Sequence, residues 1–348
     1  MLGYANANLL LRQYGLSGRV VYIEALQETV SSLERRFIYY IRTDEDTQWI
    51  CRLTHEKNFS MQLIEQQSQF AMMLYGNGVI TPWKATAKGK YCIHISIDGF
   101  LYFVTIESFM EGKTPELSCK LFFDFGKLIG KTHALSEQFP SPIHYSVVRR
   151  ALSEGGASFS RLLAQSPTQI PQTPETNYAG IIHDTLVENL SKQWELLPSG
   201  ATQADLDIFN NLLMTESGLG IIDYNLAGEE VFLADALISY FSSIHHYNKR
   251  KALEHLDKKK SFEQFMLGYL SERSLNKFER KLFPQIAALF DGLYFCKELI
   301  NEWNDGQSDY VIKHFEDSIQ YFDPISHKLP GLEGRNDGGQ TTIFPLFH

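Results

Sequence analysis

The sequence lacks the excess of basic residues that typifies proteins that bind nucleic acids or membrane surfaces. Its 348 residues include 32 lysines and arginines against 41 aspartates and glutamates, a formal net charge of −9. Nucleic acids and anionic membranes both favour a basic surface, so we expect neither as a partner. A neutral or cationic small molecule is a better match to this charge.

Cysteines are few and long apolar runs are absent. The four cysteines form no CxxC pair, so neither a zinc site nor thiol exchange is predicted. No apolar run approaches the length that spans a membrane, and the N-terminus lacks a basic flank before an apolar core. We therefore expect a soluble, cytoplasmic protein in a reducing compartment.

The length of the chain predicts two lobes, because 348 residues exceed what one hydrophobic core usually organises. In the first third, short β-branched and aromatic segments alternate with polar turns, which predicts four or five antiparallel strands. These segments are RRFIYYIRT, QWICRLT, KYCIHIS and YFVTIESF. Between the second and third, SMQLIEQQSQFAMMLYGNG has a helical apolar stripe that ends at Gly-Asn-Gly. We expect one helix packed on one small sheet.

Beyond residue 112 the apolar periodicity becomes helical. The segment SCKLFFDFGKLIGKTHALSEQF places its apolar residues on one face, where Gly126 and Gly130 permit a close neighbour. Further helices are predicted in FLADALISYFSSIHHY, KSFEQFMLGYLSERSL and FERKLFPQIAALFDGLYFCKELINEW. Residues 154–177 are rich in Pro, Ser and Thr, and predict either a substrate lid or an idle insertion.

Three polar residues lie along the apolar stretch QADLDIFNNLLMTESGLGIIDYN: Asp205, Asn210 and Asp223. The pattern predicts a polar loop, then strands NNLLM and LGIID around the turn TESG, so a β-hairpin carries a carboxylate at each end. Phosphoryl transfer from ATP needs a carboxylate to orient the attacking hydroxyl and accept its proton. It also needs an amide and a second carboxylate to hold Mg²⁺. For Asp205 or Asn210 taken singly, a hydrogen bond to its own backbone in a turn is the alternative.

These residues resemble the catalytic signature of the aminoglycoside phosphotransferase and choline kinase family of protein-kinase-like small-molecule kinases, which includes homoserine-kinase-like and spore-coat CotS-like members. The family signature H-G-D-L-H-P-G-N, a hairpin and I-D-F or I-D-Y is matched by QADLDIFN and GIIDYN. The segments GKLIGKTHALS and QYGLSG resemble two further family motifs, and FVTIESFMEGKTP resembles its hinge. The resemblance implies that Asp205 is the catalytic base and that Asn210 and Asp223 are Mg²⁺ ligands.

The resemblance also implies the nucleotide contacts. The backbone from Glu107 to Phe109 would read the adenine edge. Arg52, in place of the family's strand lysine, would contact the phosphates of ATP and pair with Glu65 on the helix. Without the other motifs, Arg52 and Glu65 would be read as unrelated surface charges. The family residue that matches Asp235 braces the catalytic loop by hydrogen bonds, so the resemblance implies the same role for Asp235.

The chain departs from the family pattern at the catalytic and phosphate loops. Gln203 and Ala204 replace the signature His-Gly, and Asp207, which we place beside the site, replaces its second His. The loop that covers the phosphates, expected around QETVSSLERRF, contains no glycine, although a close backbone approach to phosphate favours one. The hydroxyl groups of Ser31 and Ser32 are the predicted substitutes.

We therefore expect an α+β, two-lobed protein-kinase-like fold, with a small antiparallel β lobe carrying one helix and a larger, mainly helical lobe. The expected parts are a nucleotide-binding lobe (1–107), a hinge (108–112), a catalytic and substrate lobe (113–330) and a Gly-rich tail (331–348). The expected reaction transfers the γ-phosphoryl group of ATP, with Mg²⁺, to a hydroxyl of a small molecule. One alternative is a degenerate kinase-like module that binds nucleotide or a partner without turnover. A protein kinase is a third reading, which the small-molecule signature disfavours.

Overall fold

The structure is a computed structural model that describes residues 2–30, 35–55, 57, 59–139, 143, 145–146, 184, 186–245, 253 and 255–302. The predictions for 154–177, for the tail 331–348 and for Ser31 and Ser32 lie outside these residues. The chain divides into two compact units. The first comprises Met1–Leu117, Lys131–Arg150 and Ser199–Asp235, and the second comprises Ser118–Gly130, Ala151–Pro198 and Ala236–His348.

A five-stranded antiparallel sheet in the order β1-β2-β3-β5-β4 forms the centre of the first unit. Four strands match the predicted segments, whereas the edge strand β1 was not predicted. The strands are β1 (Val20–Val30), β2 (Arg35–Thr43), β3 (Gln48–His55), β4 (Ile93–Ile97) and β5 (Phe100–Ser108).

The two faces of the sheet have different roles, because successive residues of a strand point to opposite sides. The register pairs Tyr39 with Cys51 and Cys51 with Ile106, and all three side chains are buried in one apolar core. This core also includes residues of helix α1 (Tyr4–Gln13), which the sequence did not predict. Residues one position along each strand lie on the other face, and these include Arg36, Arg52 and Glu107.

Helix α2 (Met61–Gly76) follows β3, as predicted. Its N-terminus is capped by Ser60, whose side chain accepts a hydrogen bond from the N–H of Leu63. The helix ends at the predicted Gly-Asn-Gly. The amide of Gln67, buried in this helix, donates to the carbonyl groups of Asn225 and Ala227 and so connects α2 to the segment after β8 (Gly218–Ile221).

Two small antiparallel sheets of the first unit carry the predicted catalytic segment. Strand β6 (Ser199–Thr202) pairs with β9 (Gly228–Val231). Strand β7 (Leu212–Thr215) pairs with β8, which confirms the predicted hairpin. The loop from 203 to 211 therefore joins the two sheets, and Asp223 lies just beyond the end of β8.

The remaining helices are α3 (Cys119–Ser136), α4 (Phe232–Ile244), α5 (Lys258–Glu272) and α6 (Lys277–Glu302), in agreement with the predicted segments. In the second unit, α3 and α5 are in backbone contact. A Cβ atom on Gly126 would collide with the carbonyl oxygen of Phe265, and one on Gly268 would collide with that of Phe123. The predicted close approach at Gly126 is therefore confirmed. Within the described residues no helix is long and apolar enough to cross a membrane.

Candidate active site

Asp205 lies in the loop after β6 and is held from both sides. The side-chain oxygen of Gln203 accepts a hydrogen bond of 2.8 Å from its N–H. The amide of Asn211 donates to its carbonyl oxygen at 2.5 Å and to its carboxylate at 3.3 Å. The carboxylate itself stays open to solvent. The loop thus fixes the backbone of Asp205 and leaves its carboxylate accessible to a second molecule.

Partial desolvation, and then the negative charges of Asp223 and Asp207, raise the pKa of Asp205 to about 6. The hydrogen bond from Asn211 and the charge of Arg36 act in the opposite direction. A carboxylate with this pKa is ionised at neutral pH and still accepts a proton more readily than an ordinary aspartate.

Two asparagines follow in the loop, and only one contacts Asp205. Asn210, the predicted metal ligand, is exposed and donates through its side chain to the carboxylate of Asp207 at 2.6 Å. Asp207 also accepts from the N–H groups of Phe209 and Asn210, so it closes the loop as a side-chain turn. Asn211 is buried, and its amide nitrogen is committed to Asp205. The geometry therefore brings the amide of Asn211, rather than that of Asn210, next to the predicted base.

Asp223 faces two arginines of the large sheet. Its backbone is in the left-handed region, with φ at 60°. One carboxylate oxygen lies 3.4 Å from the guanidinium of Arg52, and the other lies 3.5 Å from that of Arg36. The side chain of Asp223 keeps 25% of its surface exposed. An anionic group is thus presented beside two cations, one on β3 and one on β2.

Arg52 is anchored by Glu107, and the predicted pairing of Arg52 with Glu65 is wrong. The Nε of Arg52 lies 3.0 Å from one carboxylate oxygen of Glu107, and Lys84 lies 2.6 Å from the other. Glu65 instead accepts a hydrogen bond from the N–H of Cys92 at 2.6 Å. Burial alone would raise the pKa of Glu107, but the charges of Lys84 and Arg52 outweigh it and lower this pKa to about 2.

The segment predicted to read adenine is already partly engaged in the sheet. The N–H of Ser108 donates to the carbonyl of Trp83, and the N–H of Phe109 donates to the carbonyl of Gln48. Neither N–H is therefore available to a base, which corrects the prediction for these two donors. Within the described part of the chain, the next N–H, that of Met110, makes no hydrogen bond.

Gln203 takes the place of the signature histidine and connects the two ends of the hairpin. Its amide nitrogen donates to the carbonyl of Asp223 at 2.6 Å and its oxygen accepts from the N–H of Asp205, so one side chain links the predicted base and a predicted metal ligand. Ala204 adopts φ of 63°, a left-handed conformation that suits the glycine of the family signature.

Asp235 lies at the start of α4 and supports the strand that leads to the loop. One of its oxygens accepts from Thr202 at 2.8 Å and the other lies 3.0 Å from Nε2 of His133. All three side chains are buried. Thr202 immediately precedes Gln203, so this network fixes the backbone at the start of the predicted catalytic loop.

The carboxylate of Asp223 is a donor of the type that a hard cation takes. Among the described residues, no group of three or more His, Cys, Asp and Glu side chains could hold a metal ion. Mg²⁺ on a nucleotide needs fewer protein ligands, because phosphates and water complete its oxygen shell. The carboxylate of Asp223 and the amide oxygens of Asn210 and Asn211 are oxygen donors of this type.

Four residues of the site were missed or undervalued by sequence reasoning: Gln203, Asn211, Arg36 and Lys84. Gln203 and Asn211 adjoin the motif, so their positions were visible, but the hydrogen bonds that define their roles were not. Arg36 on β2 and Arg52 on β3 lie on the same face of the sheet, and the alternation of residues along the two strands could have predicted this. Lys84 had no such signal, because it lies outside the strands and its backbone pairs with that of Glu107 as an isolated bridge.

Comparison with known proteins gives similarity in structure alone. No family model and no curated protein matches the sequence. The structure is similar to a microcompartment-associated aminopropanol kinase, with 17% identity, a TM-score of 0.61 and coverage of 95% of this chain and 99% of that chain. It is also similar to an amicoumacin kinase in complex with AMP-PNP and Ca²⁺, with 14% identity, a TM-score of 0.58 and coverage of 85% and 87%.

A third solved structure extends the similarity to the choline kinases. The choline kinase of Cryptosporidium parvum Iowa II is 15% identical, with a TM-score of 0.52 and coverage of 88% of this chain and 91% of that chain. At such low identity the shared property is the fold. The chain therefore has the α+β fold of the protein-kinase-like small-molecule kinases.

Proposed function

We propose that this protein is an ATP- and Mg²⁺-dependent phosphotransferase that moves the γ-phosphoryl group to a hydroxyl of a small molecule. The observation that carries the proposal is the convergence, within one compact unit, of an accessible carboxylate of raised pKa (Asp205), a second carboxylate (Asp223) and a buried arginine (Arg52). Phosphoryl transfer requires this combination, because its catalysis consists mainly of positioning and charge neutralisation.

Each residue has a separable role in this reaction. Asp205 accepts a hydrogen bond from the acceptor hydroxyl, orients it and takes its proton as the new oxygen–phosphorus bond forms and the bond from the γ-phosphorus to the departing ADP breaks. Arg52 and Arg36 bind phosphate oxygens. When bound, Mg²⁺ neutralises the charge of the transferred group.

Asp223 supplies one metal ligand, and an asparagine amide supplies another. The sequence signature favours Asn210 for this second ligand. The geometry favours Asn211, because its amide nitrogen donates to the predicted base Asp205, whereas that of Asn210 donates to Asp207. We propose Asn211.

The acceptor belongs to the class of small hydroxyl compounds, including amino alcohols, homoserine-like compounds, sugars and aminoglycosides. Two observations support this class: the structural similarity to kinases named for aminopropanol and choline, and the formal net charge of −9, which suits a cationic acceptor. We expect neither nucleic acid nor membrane as a partner.

The alternative is a kinase-like module without turnover, and the altered catalytic loop favours it. Two imidazoles of the signature are absent at Gln203 and Asp207. Against this alternative, Gln203 links Asp205 to Asp223 by hydrogen bonds, and Asp207 closes the loop. The replacements therefore support the loop structure that catalysis requires.

Thermal unfolding with AMP-PNP, in the presence and absence of Mg²⁺, tests the proposal. A ligand of the native state raises the melting temperature, so the wild type should show a rise that needs both nucleotide and metal. Asp223→Ala and Asn211→Ala should lose the Mg²⁺-dependent part of the rise, while Asn210→Ala should retain it.

Each outcome of this experiment has a definite meaning. Loss of the Mg²⁺ effect in Asn210→Ala instead of Asn211→Ala would return the ligand to the position given by the signature. No rise at millimolar nucleotide in the wild type would reject the nucleotide site and favour the module without turnover.

A further inference from the structure

Three charged side chains are buried together on the sheet face that carries the candidate site. Arg52 on β3, Glu107 on β5 and Lys84 are 9%, 3% and 7% exposed. The two carboxylate oxygens of Glu107 are divided between the two cations, with Nε of Arg52 at 3.0 Å and Nζ of Lys84 at 2.6 Å. A buried carboxylate is normally costly, and here each of its oxygens has a charged partner.

Glu107 determines the direction of the guanidinium group of Arg52. A guanidinium is a planar fork, so a bond at Nε restricts where its terminal nitrogens point. With Nε held by Glu107, the terminal nitrogen NH1 lies 3.4 Å from Asp223. The buried ion pair is thus connected directly to the candidate metal ligand.

Lys84 has the complementary effect on Glu107. If Arg52 were the single cation in contact, one oxygen of Glu107 would lack a charged partner and the carboxylate could rotate. Lys84 occupies that second oxygen, and its own isolated bridge to Glu107 fixes the two backbones side by side. A carboxylate with a charged partner on each oxygen is held in one orientation.

Helix α2 does not contribute to this anchor. Glu65 is the acidic residue of α2 with a position suited to pair with a strand cation, but it accepts a hydrogen bond from the N–H of Cys92. The ion pairs of Arg52 within the described residues go to Glu107 and Asp223.

We infer that Glu107, held by Lys84, is the positioning residue that aims Arg52 at the phosphates of the nucleotide, so that the anchor lies within the sheet and not on helix α2. This inference rests on the proposed function. It predicts that nucleotide affinity depends on Glu107 and Lys84 and does not depend on Glu65.

The first experiment compares Glu107→Gln with Glu65→Gln, two isosteric changes that each remove one negative charge. Glu107→Gln should weaken Mg²⁺–AMP-PNP binding by at least about tenfold, the usual scale for loss of a supporting partner. In turnover assays the KM for ATP should rise similarly, with the KM for the acceptor unchanged. Glu65→Gln should leave both constants near the wild type. A merely structural role of Glu107 would reduce the amount of folded protein without changing the KM for ATP.

The second experiment needs no nucleotide and guards against simple unfolding. Glu107→Gln leaves two buried cations and is expected to lower the melting temperature. Adding Lys84→Met removes one of them and should restore part of the lost melting temperature. In a double-mutant cycle of melting temperatures, Arg52→Met should be strongly non-additive with Glu107→Gln and additive with Glu65→Gln.

The two experiments separate the inference from the proposed function. If the wild type binds no nucleotide, the proposed function fails, and the melting cycle alone decides whether Glu107 anchors Arg52. If nucleotide binds and Glu65→Gln weakens it as much as Glu107→Gln, the inference is overturned and the proposed function stands. Additive melting effects of Arg52 and Glu107 would also overturn the inference.

Discussion

Asp205 illustrates what a single residue reveals in sequence and what it reveals only in the fold. Its type and its spacing from Asp223 predicted a catalytic carboxylate. Its raised pKa has a different origin, because it comes from partial desolvation and from carboxylates 2 and 18 residues away that the loop and the hairpin bring near. Sequence spacing identifies such a group, whereas its electrostatic environment requires the tertiary structure.

The charge of Asp205 should make the metal-free protein less stable at neutral pH. Its pKa is raised in the folded state from an ordinary 3.8 to about 6, so the folded protein binds this proton more tightly than the unfolded chain. Stability is therefore lost as pH rises through this interval. Asp205→Asn, which mimics the neutral carboxyl group, should raise the melting temperature above about pH 6, and the gain should fade as pH decreases to about 4.

The same variant should lower turnover by at least about a hundredfold while nucleotide affinity stays nearly unchanged, because a positioned proton acceptor acts on the reacting hydroxyl. Glu188→Gln is a suitable control for the effect of pH on the melting temperature. The pKa of the exposed Glu188 carboxylate is lowered by a hydrogen bond from Lys192 and by its charge, so Glu188→Gln should change the melting temperature at neutral pH in the direction opposite to Asp205→Asn. An unchanged turnover in Asp205→Asn would remove Asp205 from the role of base.

Among the elements, strand β2 and helix α2 were predicted from clear periodicity, whereas strand β1 lacks it. Strand β2 and helix α2 show the alternation and the helical stripe that burial of one face imposes. Strand β1 has the sequence VVYIEALQETV, and most of its residues are exposed on both faces, so no alternation marks it as a strand. The anchor of Arg52 was predicted wrongly for a related reason. Its partner Glu107 is 55 residues away and meets it through sheet pairing.

The catalytic loop contains a strained residue whose replacement should stabilise the protein. Ala204 has φ of 63°, and the left-handed region costs a residue with a Cβ roughly 1–2 kcal/mol. Glycine removes this cost and loses part of the gain through its greater freedom in the unfolded chain. Ala204→Gly should therefore raise the free energy of unfolding by up to about 1 kcal/mol, as measured by urea unfolding.

A matched control for this change lies in the preceding strand. Ala201 is a buried residue of β6, outside the positive-φ set. Ala201→Gly should destabilise the protein, since glycine weakens a strand and removes a buried methyl group. Equal destabilisation by both variants would contradict the strain at Ala204.

At the scale of the whole molecule, similarity to known structures is found in the fold and hardly in the sequence. Identities of 14% to 17% accompany coverage of 85% or more of this chain in two similar kinases. The sequence still predicted the fold class, because the catalytic signature, the β-rich first third and the helical remainder are separate indications that agree. The acceptor was predicted only as a chemical class, because the signature indicates phosphoryl transfer and leaves the acceptor pocket to other residues.

The two compact units should respond differently to a packing defect in the second. Gly268 on α5 contacts the backbone of α3, and a Cβ there would collide with the carbonyl of Phe123, so Gly268→Ala should cost about 1–3 kcal/mol of stability. Calorimetric binding of Mg²⁺–AMP-PNP at a temperature where the variant is folded should give the wild-type affinity, because every candidate nucleotide contact described lies in the first unit. Gly76→Ala, where an added Cβ would meet no atom within 4 Å, is the control and should preserve affinity without lowering stability, because alanine is favoured over glycine in a helix. A parallel loss of stability and affinity in Gly268→Ala would mean that the nucleotide site extends to residues of the second unit.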